Sequence, residues 1–326
     1  VIINRGETVN LSAKLVEATD LFAPLGGYPV AIMFHESWVA DTTTTGEGFA
    51  NASFVLDANH PLGLVTATWM FNGSSDLRAG IANLSTVTVR SVTFMVIDDI
   101  ASNPIAGESF NVSGRVTSDN GSGMETRDGM VLPSNVLFRI NGEPAGFTVT
   151  GGSIGTGGFW NATVTLGQGF EAGNNTLQAS FVPTVNYYVG SENETTFDSR
   201  GYSILTFQAP VLDGLGQPSL NDRTERGNDV NIRLSLLDNT GSPIQNQSVT
   251  VMLEGTSVSG ITQTNSNGIA FTNLTVPADL NVGVADLSAM YAGIPGTTGI
   301  VNSSASTSFV VLAQTNITIS EYPESL

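Results

Sequence analysis

At 326 residues the chain is long enough for two or three domains of ordinary size, each with its own core. Lys plus Arg number 11 against 29 Asp plus Glu, and the net charge of -18 argues against nucleic acid and anionic lipid headgroups as partners. There is no cysteine, which excludes disulfides, thiolate metal sites and cysteine nucleophiles, and no apolar run of about 18 residues that would predict membrane insertion as a helix.

Short alternating apolar runs punctuated by 36 glycines, with no sustained helical period, predict an all-β chain. The first strand reads Gly6-Glu7-Thr8-Val9-Asn10-Leu11, and returns as Gly107-Glu108-Ser109-Phe110-Asn111-Val112 and as Gly227-Asn228-Asp229-Val230-Asn231-Ile232. With a period of two, Val9 and Leu11 face a core while Asn10 faces water. A central strand follows a proline turn at Pro29, Pro133 and Pro243, with Val30, Ile32 and Phe34 inward, then Val136, Phe138 and Ile140, then Val249, Val251 and Leu253.

Next come five columns at a spacing of 110 residues: Gly48, Gly158 and Gly268; Phe49, Phe159 and Ile269; Leu56, Leu166 and Val276; Gly63, Gly173 and Gly283; Phe71, Phe181 and Tyr291. Agreement in that order implies internal duplication. The predicted architecture is three tandem β-sandwich domains in an extended array, covering residues 1–90, 91–207 and 208–315, with 316–326 opening a further unit or serving as an exchanged strand.

The predicted joints carry no Gly/Ser linker. Thr86-Val87-Thr88-Val89 leads straight into Val92-Thr93-Phe94-Met95-Val96, and Ile204-Leu205-Thr206-Phe207 into Pro210-Val211-Leu212, so a stiff rod on the order of 100 Å is expected. Val1-Ile2-Ile3 lacks the basic start and long apolar centre of a signal peptide and reads as the stub of a strand, while Asn316-Ile317-Thr318-Ile319 reads as an opening strand. Either end is suited to complete a neighbour's sheet; truncation of a longer array explains the same ends.

Thr264-Asn265-Ser266-Asn267-Gly268-Ile269-Ala270 and Thr45-Gly46-Glu47-Gly48-Phe49-Ala50, with a shorter version at Thr156-Gly157-Gly158-Phe159-Trp160, resemble the turn-and-strand signature of tandem immunoglobulin-like repeats in prokaryotic surface proteins. Invasin-type adhesins and archaeal surface-layer or filament proteins carry such repeats. The resemblance implies an immunoglobulin-like fold in a cell-surface scaffold or adhesive stalk, without an activity.

Thirteen of the 27 asparagines begin an Asn-x-Ser/Thr tripeptide: Asn10, Asn51, Asn72, Asn83, Asn111, Asn120, Asn161, Asn174, Asn193, Asn246, Asn273, Asn302 and Asn316. That is about twice the number expected by chance from this composition. Asn10 and Asn111 share one outward slot, and Asn51 and Asn161 another. N-linked glycans there would solvate the array, block pairing of sheet edges and place the protein outside the cell; the competing reading is that Asn, Ser and Thr are common in turns and edges.

Catalytic patterns are weak. His35 and His60 read as surface or loop residues, and Gly151-Gly152-Ser153-Ile154-Gly155 lacks the strand-to-helix context of a nucleophile elbow. No cofactor motif is present. Calcium is the one metal to weigh, at Asp98 and Asp99 and at Asp213 and Asp222 near the joints, against solvated turn carboxylates. The expectation is a non-enzymatic, self-associating extracellular subunit of a filament, surface layer or stalk. The alternative is an adhesin or carbohydrate-binding module presenting Trp38, Trp160 or Tyr187-Tyr188, unless these are core residues.

Overall fold

The protein is described from a computed structural model, which covers residues 1–19, 23–123, 135–208, 223–257 and 262–318. The described residues form three immunoglobulin-like β-sandwiches in tandem, and their one helical piece is a 3-10 turn at Thr156–Gly158. No helix among them is long and apolar enough to cross a membrane.

The first unit contains β1 (Ile2–Asn4), β2 (Thr8–Lys14), β3 (Pro29–Phe34), β4 (Ser37–Thr43), β5 (Phe49–Val55), β6 (Gly63–Phe71) and the opening half of β7 (Gly80–Ile97). The second adds the far half of β7, β8 (Ser109–Ser118), β9 (Val136–Ile140), β10 (Phe147–Gly151), β11 (Phe159–Leu166), β12 (Gly173–Phe181), β13 (Tyr188–Val189) and β14 (Ser191–Ser199). The third holds β15 (Gly201–Phe207), β16 (Arg223–Glu225), β17 (Asp229–Asp238), β18 (Ser248–Leu253), β19 (Thr256–Ser257), β20 (Thr262–Gln263), β21 (Ile269–Thr275), β22 (Gly283–Tyr291), β23 (Ile300–Val301) and β24 (Ser303–Leu312).

In each unit one sheet is built on the β2–β5, β8–β11 or β17–β21 pair. The facing sheet holds β3, β6 and β7, or β9, β12 and β14, or β18, β22 and β24. The alternation read from the sequence sets the inward faces. Ile32, Ala67, Val164, Leu177, Val249 and Leu287 lie at or near zero exposure, and burying a side chain of Val, Leu or Ile size contributes about 1.5–3 kcal/mol each. The recurring glycine turn has a steric cause: Gly48 and Gly268 sit at φ 80° and 70°, and a Cβ on either would lie 2.5 Å from the carbonyl oxygen of Leu15 or Leu236.

The first joint is a single strand. β7 runs 18 residues, pairing with β6 up to Val89 and with β8 from Thr93 on, so one chain segment belongs to both sandwiches. Val87, Val89 and Met95 belong to one apolar cluster that runs through both units.

Three expectations need correction. Ile204–Phe207, expected to close the second unit, lies in β15 and pairs with β17 of the third; β14 pairs with β12 as that unit's last strand. Ile2–Asn4 is no free strand, because it pairs in parallel with Thr88–Arg90 of its own unit. Asn316–Thr318 form no strand and are exposed; Ile319, like Pro133 and Pro210-Val211-Leu212, lies outside the described residues.

Candidate functional site: joints and outward asparagines

Just past each joint, a hydroxyl on the first strand of the downstream unit is held by a later strand of that same unit. Thr93 Oγ1 donates to the Val189 carbonyl at 2.6 Å and lies 2.8 Å from Ser191 Oγ. One repeat later, Ser203 Oγ donates to the Val301 carbonyl at 2.8 Å and lies 2.7 Å from Ser303 Oγ. Both hydroxyls are buried, and these partners meet the requirement that buried polar atoms be satisfied. Alongside them, β13 pairs in parallel with Ser91 and Val92, and β23 with Gly201 and Tyr202.

A loop-to-turn contact reinforces each joint. Arg5, almost wholly buried, donates Nε to the His60 carbonyl at 2.5 Å, and its Nη1 lies 3.5 Å from Asp119 Oδ1 across the first joint. Asn120 Nδ2 donates to Asn59 Oδ1 at 3.3 Å in the same place. At the second joint, Asn239 Nδ2 donates to the carbonyls of Gln168 at 2.9 Å and Phe170 at 2.7 Å. Asp119 and Asn239 hold the same position in matching turns, Ser118–Ser122 and Asp238–Ser242, so one geometry is kept by a charge in one joint and by an amide in the other.

His60 is the group through which the first joint's stability is expected to depend on pH. Burial lowers its pKa below the ordinary imidazole value; the Pro61 carbonyl at 3.0 Å opposes the shift, His35 and Arg5 add to it, and Asp57 raises it. The fold therefore favours neutral imidazole. Its contribution to stability is present above about pH 6.5 and is lost as pH falls through the lowered folded pKa. Thermal melts are expected to fall below about pH 6.5, ahead of the carboxylate range, and His60→Gln is expected to flatten that slope.

Of the thirteen sequon asparagines, eleven are exposed: Asn10, Asn51, Asn72, Asn111, Asn161, Asn174, Asn193, Asn246, Asn273, Asn302 and Asn316. Asn120 is half-buried in the joint, and the side chain of Asn83 is outside the described set. Asn10 and Asn51 stand on the outer face of β2 and β5, two residues out of direct register; Asn111 and Asn161 repeat this on β8 and β11. Asn273 faces Asn231 directly on the corresponding pair of the third unit.

Each of these strand pairs also carries a cation over an aromatic ring that sequence reading passed over. Lys14 lies 5.1 Å from the Phe49 centroid, Arg115 4.8 Å from Phe159 and Arg233 5.4 Å from Phe271. Each is a cross-strand partner of its ring.

Asp98 and Asp99 are exposed, and Asp98 Oδ2 accepts from Ser113 Oγ at 2.6 Å; Asp213 and Asp222 lie outside the described residues. No three His, Asp or Glu side chains converge among the described residues. Trp160 is buried, edge-on to Phe138 at 5.6 Å, and Tyr188 is buried in the core. Trp38 is 64% exposed on β4, its Nε1 donating to Asp41 Oδ1 at 3.1 Å. Ser153 Oγ donates to Asn135 Oδ1 at 3.2 Å rather than facing a base.

No protein-family model matches the chain, and no curated protein matches its sequence. Among solved structures, the I-band fragment I67–I69 of titin is similar over 97% of this chain and 95% of that one, with a TM-score of 0.51 and 8% identity. A tetra-tandem repeat from the extending region of a large adhesion protein covers 94% of this chain and 71% of that one, with a TM-score of 0.35 and 16% identity. The ectodomain of mouse nectin-like molecule 4 covers 98% and 99%, with a TM-score of 0.39 and 13% identity. The titin likeness shows the fold, three immunoglobulin-like domains in tandem.

Proposed function

We propose that the chain is a structural subunit of the cell exterior, a glycosylated array of immunoglobulin-like units that self-associates into a filament, layer or stalk. The observation that carries this reading is the placement of the sequons: eleven of thirteen asparagines are exposed, and four stand in equivalent outward slots of the first two units. Glycans there would cover sheet faces that otherwise expose Phe49 and Phe159. The joints support it independently, since a strand shared by two sandwiches at the first joint and a buried hydroxyl just past each joint suit a spacer that must hold its shape.

The test is the intact mass of protein from its native source, before and after glycan removal, with site mapping. Several occupied sites are expected. Asn120 is expected to be bare, because its amide nitrogen is engaged across the joint. No added mass would remove the reading's main support. A second reading, an adhesin, is favoured only by exposed Trp38; it predicts that Trp38→Ala abolishes binding to a glycan array.

A further inference from the structure

The β2–β5, β8–β11 and β17–β21 pairs share a trio of outward side chains: a ring, a cation and a sequon asparagine. Phe49-Ala50-Asn51-Ala52-Ser53 on β5, Phe159-Trp160-Asn161-Ala162-Thr163 on β11 and Phe271-Thr272-Asn273-Leu274-Thr275 on β21 each place a phenylalanine two residues before the asparagine. None of the other ten sequons has an aromatic residue at that offset, so the pairing of ring and asparagine belongs to this one strand of each unit. Residues two apart on a strand share a face and stand about 7 Å apart. Each ring is therefore the next outward side chain along the strand from its asparagine.

The third unit keeps the combination and gives up the slot. Its register puts Ser235 opposite Ile269 where the first two units have Lys14 opposite Phe49 and Arg115 opposite Phe159. Ser235 and Ile269 are buried, at 6% and 8% exposure, so that slot has closed. The trio reappears two residues along, with Phe271 opposite Arg233 and Asn273 following on the same face. Ring, cation and asparagine have moved together to where the face is open. Phe271 is 59% exposed, beside 61% for Phe159 and 39% for Phe49.

The cation covers only part of each ring. It comes from the neighbouring strand, 4.8 to 5.4 Å from the centroid, whereas the asparagine lies along the ring's own strand. A cation drawn to the π face fixes how the ring stands, and Arg115 is itself held by donation from Nε to the Gly157 carbonyl at 3.0 Å. What remains is exposed aromatic surface next to an asparagine amide. A pyranose has an apolar face of C–H groups, whose weakly positive hydrogens suit the negative face of an aromatic ring.

We infer that Phe49, Phe159 and Phe271 seat the first sugar of glycans on Asn51, Asn161 and Asn273, a pyranose lying with its C–H face against the ring. The three phenylalanines are positioning residues for the glycan. Each lays the first sugar back along its strand, so the sugar packs as part of the unit and the three glycans leave from corresponding sheets. The inference rests on the glycosylated array proposed above and gives three of its asparagines a built partner.

The test uses the full chain from its native source, with sugars mapped to sites by mass. Proton NMR is expected to show the first-sugar ring protons at Asn161 and Asn273 shifted upfield by the aromatic ring current. Phe159→Ala is expected to remove the shift at Asn161 and leave that at Asn273. The sugar on Asn10, which has Thr8 at the matching offset, is expected to show no shift. Thermal melts read the same contact as a coupling: Asn161→Gln should lower the melting temperature by about 2–6 °C with Phe159 in place and by less than about 1 °C in Phe159→Ala. Phe159 lies on the outer face, so its removal leaves the core packed.

Sugars present at Asn161 and Asn273 with unshifted protons, and equal melting losses in both backgrounds, overturn the seats and leave the glycosylated reading standing. Bare Asn51, Asn161 and Asn273 on a chain glycosylated elsewhere do the same. A chain carrying no sugar at all overturns both.

Discussion

Trp160→Ala is expected to destabilise the second unit by about 3–5 kcal/mol, the cost of leaving a large cavity in a packed core. The indole is 3% exposed, and its cross-strand partner is Gly114. A Cβ on Gly114 would lie 2.4 Å from Trp160 Cζ2 and 2.1 Å from the Val96 carbonyl, so Gly114→Leu alone is expected to cost about 1–3 kcal/mol through overpacking. The other units solve the same space differently. The first places Ala13 opposite Ala50 with Trp69 reaching in from the facing sheet, and the third places Leu234 opposite Ala270. Gly114→Leu combined with Trp160→Ala reproduces the third arrangement. The clash with the Val96 carbonyl remains in the double variant, so it should be less stable than Trp160→Ala alone, while relief of the Trp160 clash should appear as a favourable coupling of about 1–3 kcal/mol in a denaturant cycle. Simple additivity of the two losses would show that the slots are not interchangeable.

Removing the joint hydroxyls is the second large effect. Thr93→Val leaves the Val189 carbonyl and Ser191 Oγ without their buried partner, and Ser203→Ala does the same to Val301 and Ser303. Each is expected to cost about 1–3 kcal/mol, the penalty for an unmet buried acceptor. The loss should be local. Amide exchange is expected to accelerate at Ser91 and along β13 in the first case and along β23 in the second, while the sandwich centres keep their protection. Ser203→Thr should preserve the bond and serve as a control, since Thr performs that role one repeat earlier. Unchanged exchange at β13 and β23 would show that backbone pairing alone fixes the joints.

The inward faces were legible because alternation reports burial directly: Val30, Ile32 and Phe34, and their counterparts in the other copies, point inward as their spacing requires. The glycine columns were legible for a related reason, since Gly63, Gly173 and Gly283 all have positive φ and mark the same strand start. The end of the second unit was not. β14 reads Ser-Glu-Asn-Glu-Thr-Thr-Phe-Asp-Ser, with Phe197 its one large apolar side chain, so it carries too little alternation to announce a strand. Ile204–Phe207 next to it shows strong alternation, and the pairing partner of a strand is not written in its own residues.

The outward asparagines were visible as a motif, whereas the amide of Asn120 turned into the joint depended on a neighbour 61 positions away. Thr93 and Ser203 stood in matching positions throughout. A hydroxyl within an apolar strand looks unremarkable until its acceptor, nearly a hundred residues downstream, is placed beside it.

The parallel patches that close each sandwich bear on what happens under tension. Pulling the two ends of a unit apart slides β1 along β7, and β16 along β24, so the main-chain bonds of each patch are loaded together rather than opened one after another. The first patch spans three residue pairs and the third another three, Arg223–Glu225 against Val310–Leu312. The second is a single bridge, Ile105 to Arg200, with two flanking main-chain bonds of 2.9 Å. A stretched array would thus yield first in its middle, where the fewest bonds share the force, and its outer units would stay folded while the middle one lengthened.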